Sequence, residues 1–352
     1  MSNKDLSPYE KIVALAKEAN MPEEFFNNNF NSKEHANGKL RVTADHSSSP
    51  LKLYKYQVKN VDEMKELQGN PDSKFTEEGW GSHSQPAIPQ PLANVKNEAR
   101  QLRANVALAH EAYLYGNSNL VSEYKDEINK AYYPREVHAT SGDTLTVSSP
   151  MYFTEPTSLI YDTITIEPGG SLIFEKGGSA KSTNFDIAST TDADDGNNNS
   201  IENIGSPGNP GDPGKGGDDG KAGSNGGDAS SGKDSCDTSA GSGGKGQDGT
   251  NGLVGVAGTA GASAATITIQ TVNLNGLVTL TTQGGVGGKG GDGGAGGTGG
   301  DGGKGGNGDN HCDSANGGTG GDGGDGGDGG DGGNGGDAGA ISVTYTTGSP
   351  TF

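Results

Sequence analysis

Residues 284–307 read GGVGGKGGDGGAGGTGGDGGKGGN, with glycine at two positions of every three over eight successive triplets. A period of three matches neither the 3.6 residues per turn of an α-helix nor the two-residue alternation of a β-strand. It is the period of the polyproline II helix, which has three residues per turn and no internal hydrogen bonds. The stretch therefore predicts a polyglycine II helix. Glycines three residues apart line up along such a helix in rows that carry no side chain, and these bare rows let neighbouring backbones approach and bond to one another.

Three further stretches keep this period, which gives four segments in two consecutive pairs: 205–228 with 243–263, and 284–308 with 316–339. Glycine-rich composition is typical of flexible linkers. Here the phase is kept over seven or eight triplets in each segment, which favours ordered packing. The first pair carries one glycine per triplet and the second pair two, so we expect the first pair to lie where fewer neighbours touch it.

Strand-like sequence adjoins these pairs. Residues 264–283 (AATITIQTVNLNGLVTLTTQ) lie between the pairs and 340–347 (AISVTYTT) follow the second one, and both are rich in β-branched residues. Asn275-Gly276 is a strong hairpin-turn signal within the first of them. Each pair of segments therefore leaves a β-structured base and returns to it.

The whole chain predicts a mixed fold of three regions. Residues 1–133 are a helical attachment or assembly region, with a capping box at Ser7 and Glu10 and a linker near 31–91. Residues 134–204 alternate apolar and polar side chains and predict a β-rich base, either a solenoid or a sandwich. Residues 205–352 predict a C-terminal bundle of four polyglycine II helices arranged as two hairpins.

Two cysteines lie where the glycine segments reverse. Cys236 is in ASSGKDSCDTSAGS and Cys312 is in DNHCDSA. Two hairpins of similar length side by side bring both tips to the same height, which favours a disulfide, although two free exposed thiols are the alternative. A disulfide would indicate an oxidising compartment.

The GGX triplets resemble the polyglycine II bundles of springtail antifreeze proteins and of the tip adhesins on long tail fibres of T-even-like bacteriophages. The resemblance covers residues 205–339; this chain has four glycine segments where those adhesins have more, and it adds β-strands between the pairs. In the phage family a rigid stalk carries distal loops that touch a bacterial outer-membrane receptor, and the N-terminal part docks on the fibre. The resemblance implies that the tip loops, residues 229–242 and 309–315, make the contact, through Lys233, Asp234, Asp237, Asn310, His311 and Asp313.

Composition and motifs exclude several other functions. The net charge of −20 makes nucleic acid and anionic membranes unlikely partners, because phosphate binding needs clustered Lys and Arg. No apolar run is long enough to span a bilayer, and MSNKDLSPYE shows no Sec signal. The six histidines have no metal-ligand spacing, and no nucleophile motif occurs in a strand-to-helix context. We therefore predict neither an enzyme nor a metal or cofactor site.

Rows of charged side chains argue against two further functions, calcium binding along an arm and ice binding. Asp322, Asp325 and Asp328 recur every third residue, at about 9 Å in such a helix, which is too far apart to share a calcium ion. Such hydrated rows are also a poor ice-binding face, so an ice-binding protein ranks third among three hypotheses for the function. The first is an extracellular or virion-surface adhesive protein with a cell-surface receptor. The second is a subunit that joins neighbouring copies into a filament or array, and either protein is expected to be homo-oligomeric or attached to a fibre.

Overall fold

A computed structural model describes residues 6–35, 39–45, 47–72, 98–188 and 199–351. The chain divides into two compact units. The coil unit comprises Met1–Ser206, Ser263–Gly284 and Asp337–Phe352. The arm unit comprises Pro207–Ala262 and Gly285–Gly336. The predicted linker near 31–91 is wrong over its described part, where Leu40–Val42 and Tyr54–Val58 are strands and Val61–Gln68 is a helix, all with buried apolar side chains. The rest of it, including SHSQPAIPQP at 82–91, lies outside the described residues.

The coil unit begins with short helices and strands. The predicted first helix is confirmed, with the Ser7–Glu10 capping box and Pro8 at its first position. The elements before residue 134 are α1 (Pro8–Glu18), α2 (Glu23–Phe26), β1 (Phe30–Asn31), β2 (Leu40–Val42), β3 (Tyr54–Val58), α3 (Val61–Gln68), α4 (Glu98–Tyr115) and α5 (Lys125–Tyr132), with 3-10 helices at Ser32–His35 and Ser118–Tyr124.

Parallel strands make up the rest of the coil unit. They are β4 (Arg135–Val147), β5 (Pro150–Phe153), β6 (Thr157–Ile166), β7 (Ser171–Phe174), β8 (Gly178–Lys181), β9 (Asn184–Ile187), β10 (Ser200–Ile204), β13 (Ile267–Gln270), β14 (Asn273–Leu277), β15 (Thr279–Gln283), β16 (Ile341–Thr344) and β17 (Thr347–Thr351). The arm unit contributes only β11 (Ser230–Ser231) and β12 (Cys236–Thr238).

Successive turns of the chain stack in parallel register. β6 pairs with β4 on one side, and on the other its first half pairs with β8 and its second half with β9. β13 and then β16 continue from β8, while β14 and then β17 continue from β9. A second, five-stranded sheet has the order β15-β10-β7-β5-β2. Aliphatic and aromatic side chains fill the interior, where the Phe153 and Phe174 rings stack 5.0 Å apart.

The hairpin prediction at Asn275-Gly276 is wrong. Both residues lie within β14, which pairs in parallel with β9 and β17. Gly276 does have a positive φ of 102°, and a Cβ there would lie 1.9 Å from the Ile187 carbonyl oxygen. The glycine therefore serves a close backbone approach inside a strand rather than a turn.

The predicted fold class is also wrong. All five α-helices of the described residues lie before Tyr133, and no bundle of four helices occupies the C-terminal part. The dominant element is a large ten-stranded β-sheet, parallel except for the antiparallel β3–β4 pair, to which residues 267–277 and 341–351 also contribute. The physical reason is that the glycine-rich segments bond sideways to one another, whereas the strands between them extend the stack that begins before them.

The glycine-rich segments are insertions into this stack. Between β7 and β8 the chain needs only three residues, 175–177. One turn later, between β10 and β13, the connection carries the first pair, and between β15 and β16 the next connection carries the second pair. The same connection in successive turns is therefore expanded twice.

Four extended arms form the arm unit: arm 1 (207–228), arm 2 (243–262), arm 3 (285–308) and arm 4 (316–336). Arm 1 runs parallel to arm 3, with bonds from Gly208 N to Val286 O and onward at every third residue. Arm 2 bonds to arms 1 and 4, arm 3 donates to arm 2, and arm 4 donates to arm 3, all at 2.7–3.0 Å and with the same spacing. Arms 2 and 3 thus each touch three neighbours, and arms 1 and 4 each touch two.

One bare glycine row serves each of these five contacts. A Cβ on Gly291 of arm 3 would lie 1.9 Å from the Asp212 carbonyl oxygen of arm 1. A Cβ on Gly290, in the other bare row of arm 3, would lie 1.8 Å from Gly330 O of arm 4. The equivalent rows of arms 1, 2 and 4 meet carbonyl oxygens at 1.8–2.2 Å. Since no real Cβ fits at such distances, glycine is required throughout these rows.

Arm 2 corrects the expectation that single-glycine arms have fewer neighbours. It carries one glycine per triplet yet touches three arms. Its bare row faces arm 3, since a Cβ on Gly255 would lie 2.1 Å from Gly291 O. Its contacts with arms 1 and 4 use their bare rows instead, because a close approach needs glycine on only one of two partners.

We predict that Gly291→Ala and Gly326→Ala have opposite effects. Alanine at 291 overlaps a backbone oxygen and should lower the stability of the arm unit by about 1–3 kcal/mol. Alanine at 326 meets its nearest atom, Gly294 O, at 3.7 Å, and should be neutral or stabilising by up to about 1 kcal/mol. Thermal unfolding with amide hydrogen exchange of the arms measures both. Equal effects of the two substitutions would contradict this packing.

Candidate binding surface at the arm tips

Each tip loop closes on itself through a small antiparallel element. β11 and β12 pair at the turn between arms 1 and 2. At the turn between arms 3 and 4, Asp309 and Cys312 exchange two backbone hydrogen bonds of 2.9 Å. These closures give each loop a defined backbone, although neither contains more than a few paired residues.

A disulfide joins the two loops. Cys236 and Cys312 are bonded, with their Cα atoms 5.1 Å apart, as the sequence predicted. Side chains of the loops add further links: the Ser231 amide donates to Asp309 Oδ2 at 3.1 Å, and the His311 amide donates to Ser231 Oγ at 3.0 Å. The two loops therefore form one continuous surface.

The Asp309 carboxylate takes part in this link between the two loops. It accepts hydrogen bonds from the Asn310 and Ser231 amides, which lower the pKa of the Asp309 carboxyl below its usual value. Neither Ser231 nor Asp309 was among the residues predicted from the sequence. The only signal for them is the polar run that precedes each cysteine, because their partners lie 78 residues apart in the chain.

All six predicted contact residues are exposed on this surface. The first loop contributes three of them and the second loop the other three, and the disulfide brings the two sets together. They are Lys233, Asp234, Asp237, Asn310, His311 and Asp313. No aromatic or large aliphatic side chain accompanies them, so the surface offers hydrogen bonds and net negative charge to a partner rather than an apolar pocket.

The coil unit has a cavity of about 570 Å³ beside α1 and α3. Its most buried charged groups are engaged by the protein: Lys65 Nζ contacts Asp72 at 3.1 Å and the Tyr113 carbonyl at 2.6 Å. Glu63 accepts a 2.7 Å bond from the Tyr56 hydroxyl. Through these partners Lys65 joins α3 to α4, and Glu63 joins α3 to β3. Among the described residues no group of His, Cys, Asp and Glu side chains is placed to hold a metal ion.

Lys181 is the most unusual ionisable group of the coil unit. It is fully buried under the end of α3, where its Nζ donates to Gly69 O at 3.1 Å. Ser179 Oγ caps the neighbouring Leu67 carbonyl at 3.0 Å. A cation is favourable at a helix C-terminus, yet burial lowers the pKa of Lys181 to about 7. The side chain therefore anchors α3 to β8, and no sequence pattern indicated it.

Comparison with protein-family models, with curated proteins and with solved structures gives no match to this chain. In the ranges that the structure describes, no helix has the length and apolar character needed to cross a bilayer.

Lys181 predicts a stability that rises with pH. Its pKa is lowered to about 7 in the folded chain but is 10.5 for an ordinary lysine, so between these values the unfolded chain binds more protons. The free energy of unfolding should then increase by up to about 1.4 kcal/mol per pH unit in this window and be unaffected by the group below it. Denaturant titrations of Lys181→Met should lose this slope, whereas the exposed control Lys130→Met should keep it. The same slope in both variants would contradict the assignment.

The disulfide predicts local stabilisation of the tip. It closes a loop of 76 residues, which the chain-entropy model values at up to about 4.5 kcal/mol. In a Cys236→Ser/Cys312→Ser protein, amides of the tip loops should exchange faster, while the Gly217 and Gly297 amides midway along the arms should change little. Uniform acceleration along whole arms would show instead that the disulfide supports the entire arm unit.

Proposed function

We propose that this protein is a non-enzymatic, extracellular adhesive protein, in which the arm unit presents the tip loops to a partner on a cell surface. The observation that carries the proposal is the disulfide between Cys236 and Cys312, which joins the two loops at one end of four laterally bonded arms. The chain enters and leaves the arm unit at the opposite end, at residues 207, 262, 285 and 336.

The arms suit a stiff support. Every arm bonds to two or three others at every third residue, so bending one arm strains bonds to its neighbours. Their side chains repeat in rows, whereas the tip loops are the part of the arm unit without a repeat. Non-repeating, exposed polar residues on a rigid scaffold are typical of recognition loops.

The sequence resemblance to phage tail-fibre tip adhesins supports the same proposal. It favours a bacterial outer-membrane receptor as the partner and the virion surface as the location. The acidic tip favours a neutral or basic receptor site, since like charges repel at an interface.

We expect tip substitutions to abolish binding to receptive cells. Alanine at Lys233, Asp237, His311 and Asp313 should weaken binding of fluorescent protein to a panel of Gram-negative bacteria by at least about tenfold, which is about 1.4 kcal/mol. The matched control is alanine at Asp212 and Lys215, two exposed charged residues of arm 1. Equal loss in both proteins would contradict recognition by the tips.

A second candidate, a self-assembling structural subunit, is favoured by a spare glycine row on arm 4. A Cβ at these seven positions would meet its nearest atom at 3.3–3.8 Å, so no described residue requires glycine there. None of their amides donates a backbone hydrogen bond within the described residues. The row comprises Gly317, Gly320, Gly323, Gly326, Gly329, Gly332 and Gly335. Such a bare face has room for an arm of another copy.

This candidate predicts polymers that the spare row controls. Gly323→Glu/Gly329→Glu should leave the fold intact and disperse polymers seen by size-exclusion chromatography and negative-stain microscopy. Asp328→Glu/Asp331→Glu, on the neighbouring row, is the control that should still assemble. Discrete particles of the unsubstituted protein would rule out the filament, whereas long polymers that do not bind cells would rule out the adhesive protein.

A further inference from the structure

The arms contain Asn-Gly dipeptides in two contrasting environments. Asn-Gly is the dipeptide in which a backbone amide most easily attacks the preceding side chain, because glycine has no Cβ to hinder it. Five such dipeptides lie in the arms. Asn307-Gly308 ends arm 3 at the tip, where Asn307 Nδ2 donates to Asp228 Oδ1 at 3.0 Å. The other four are Asn225-Gly226, Asn251-Gly252, Asn316-Gly317 and Asn334-Gly335. All four asparagines are exposed, so exposure does not distinguish them.

The first two dipeptides are held at both reacting groups. The Gly226 amide donates to Lys304 O at 2.8 Å, and Asn225 Oδ1 accepts from the Lys304 amide at 2.9 Å. The Gly252 amide and Asn251 Oδ1 make the same pair of bonds with Asp325, both at 2.8 Å. Attack in either dipeptide requires both bonds to break first.

The two dipeptides of arm 4 make neither of these bonds to a described residue. The amides of Gly317 and Gly335 belong to the spare row and donate no hydrogen bond to a described residue. Neither glycine is in the close backbone contact of the other rows, since a Cβ would be 3.3 Å from the nearest atom at Gly317 and 3.7 Å at Gly335. The side chains of Asn316 and Asn334 likewise bond to no residue that the structure describes.

We propose that Asn316 and Asn334 are sites of spontaneous succinimide formation and deamidation. The following glycine nitrogen loses its proton to solvent base and attacks the asparagine Cγ. A new N–Cγ bond forms, the Cγ–Nδ2 bond breaks, and ammonia leaves with a proton from solvent. Water then opens the ring at either carbonyl and gives aspartate or isoaspartate. No electrons are exchanged, and water is the only co-reactant.

The modification alters the arm lattice at both ends of arm 4. Isoaspartate places an additional carbon in the backbone, which breaks the three-residue phase that aligns each arm with its neighbours. The carbonyls of Asn316 and Asn334 accept bonds from Gly243 and Gly261 at 3.0 Å and 2.9 Å, and these bonds are the first to lose register. This inference depends on arm geometry alone, so it stands independently of either proposed function.

Timed incubation with peptide mapping tests the proposal. The folded protein is held in mildly alkaline buffer, and mass spectrometry follows amide-to-acid conversion and isoaspartate at each dipeptide. We expect Asn316 and Asn334 to convert at least about tenfold faster than Asn225 and Asn251, since attack at the latter requires local opening. In denaturant the four rates should converge, which shows that the difference comes from the fold. Equal rates in the folded protein would overturn the proposal.

A substitution separates the reaction from general fraying of arm 4. Gly335→Ala has room for its methyl group and should keep the arm lattice, yet it hinders attack on Asn334. Conversion at Asn334 should fall by about tenfold or more while conversion at Asn316 is unchanged. Unchanged conversion at Asn334 would show that succinimide formation through this amide is not the route.

Discussion

The backbone hydrogen bond between adjacent arms, repeated at every third residue, is the interaction on which the arm unit depends. This bond requires two arms to approach until a Cβ on one would lie about 2 Å from a carbonyl oxygen of the other, as at Gly291 and Asp212. Only glycine permits that approach, and a single misplaced side chain would separate two arms over several triplets. The period of the sequence is therefore a steric condition and not a compositional bias.

Polar side chains accept hydrogen bonds from arm amides that do not bond to a backbone carbonyl of a neighbouring arm. Asp219 accepts from the Thr298 amide and Asp248 from the Asp322 amide, so side chains of arms 1 and 2 cap amides of arms 3 and 4 that face outward. Thr250 and Thr259 of arm 2 accept from amides of arm 1 in the same way. These polar residues lie in the arms with one glycine per triplet, so those arms supply side-chain acceptors in addition to one bare row each.

The sequence allowed some of this to be predicted. Local signals were sufficient for α1, where Ser7 and Glu10 cap within a few residues, and for the cysteine pair, because two reversals of similar arms fix where their tips meet. The parallel stack was not predictable in the same way, since β8 and β13 are paired although about 86 residues separate them. The hairpin prediction at Asn275-Gly276 was wrong for this reason. The dipeptide favours a turn locally, but parallel pairing of β14 with the distant strands β9 and β17 determined its structure. Asp309, Ser231 and Lys181 act through partners remote in sequence, so local patterns did not predict the contacts that they make.

The two outer arms, 1 and 4, differ in the number of bare glycine rows that they carry. Four arms in this arrangement make five contacts, and each contact needs one bare row, so five glycine rows are sufficient. Arms 1 and 2 supply one row each and arm 3 supplies two, which leaves one for arm 4. Arm 1, the other outer arm, fills the position that arm 4 leaves bare with residues such as Pro210, Asp219 and Asn225. Glycine loses more conformational entropy on folding than any other residue. The sixth row, which no contact with a described residue uses, therefore lowers the stability of the arm unit with no compensating contact among the described residues.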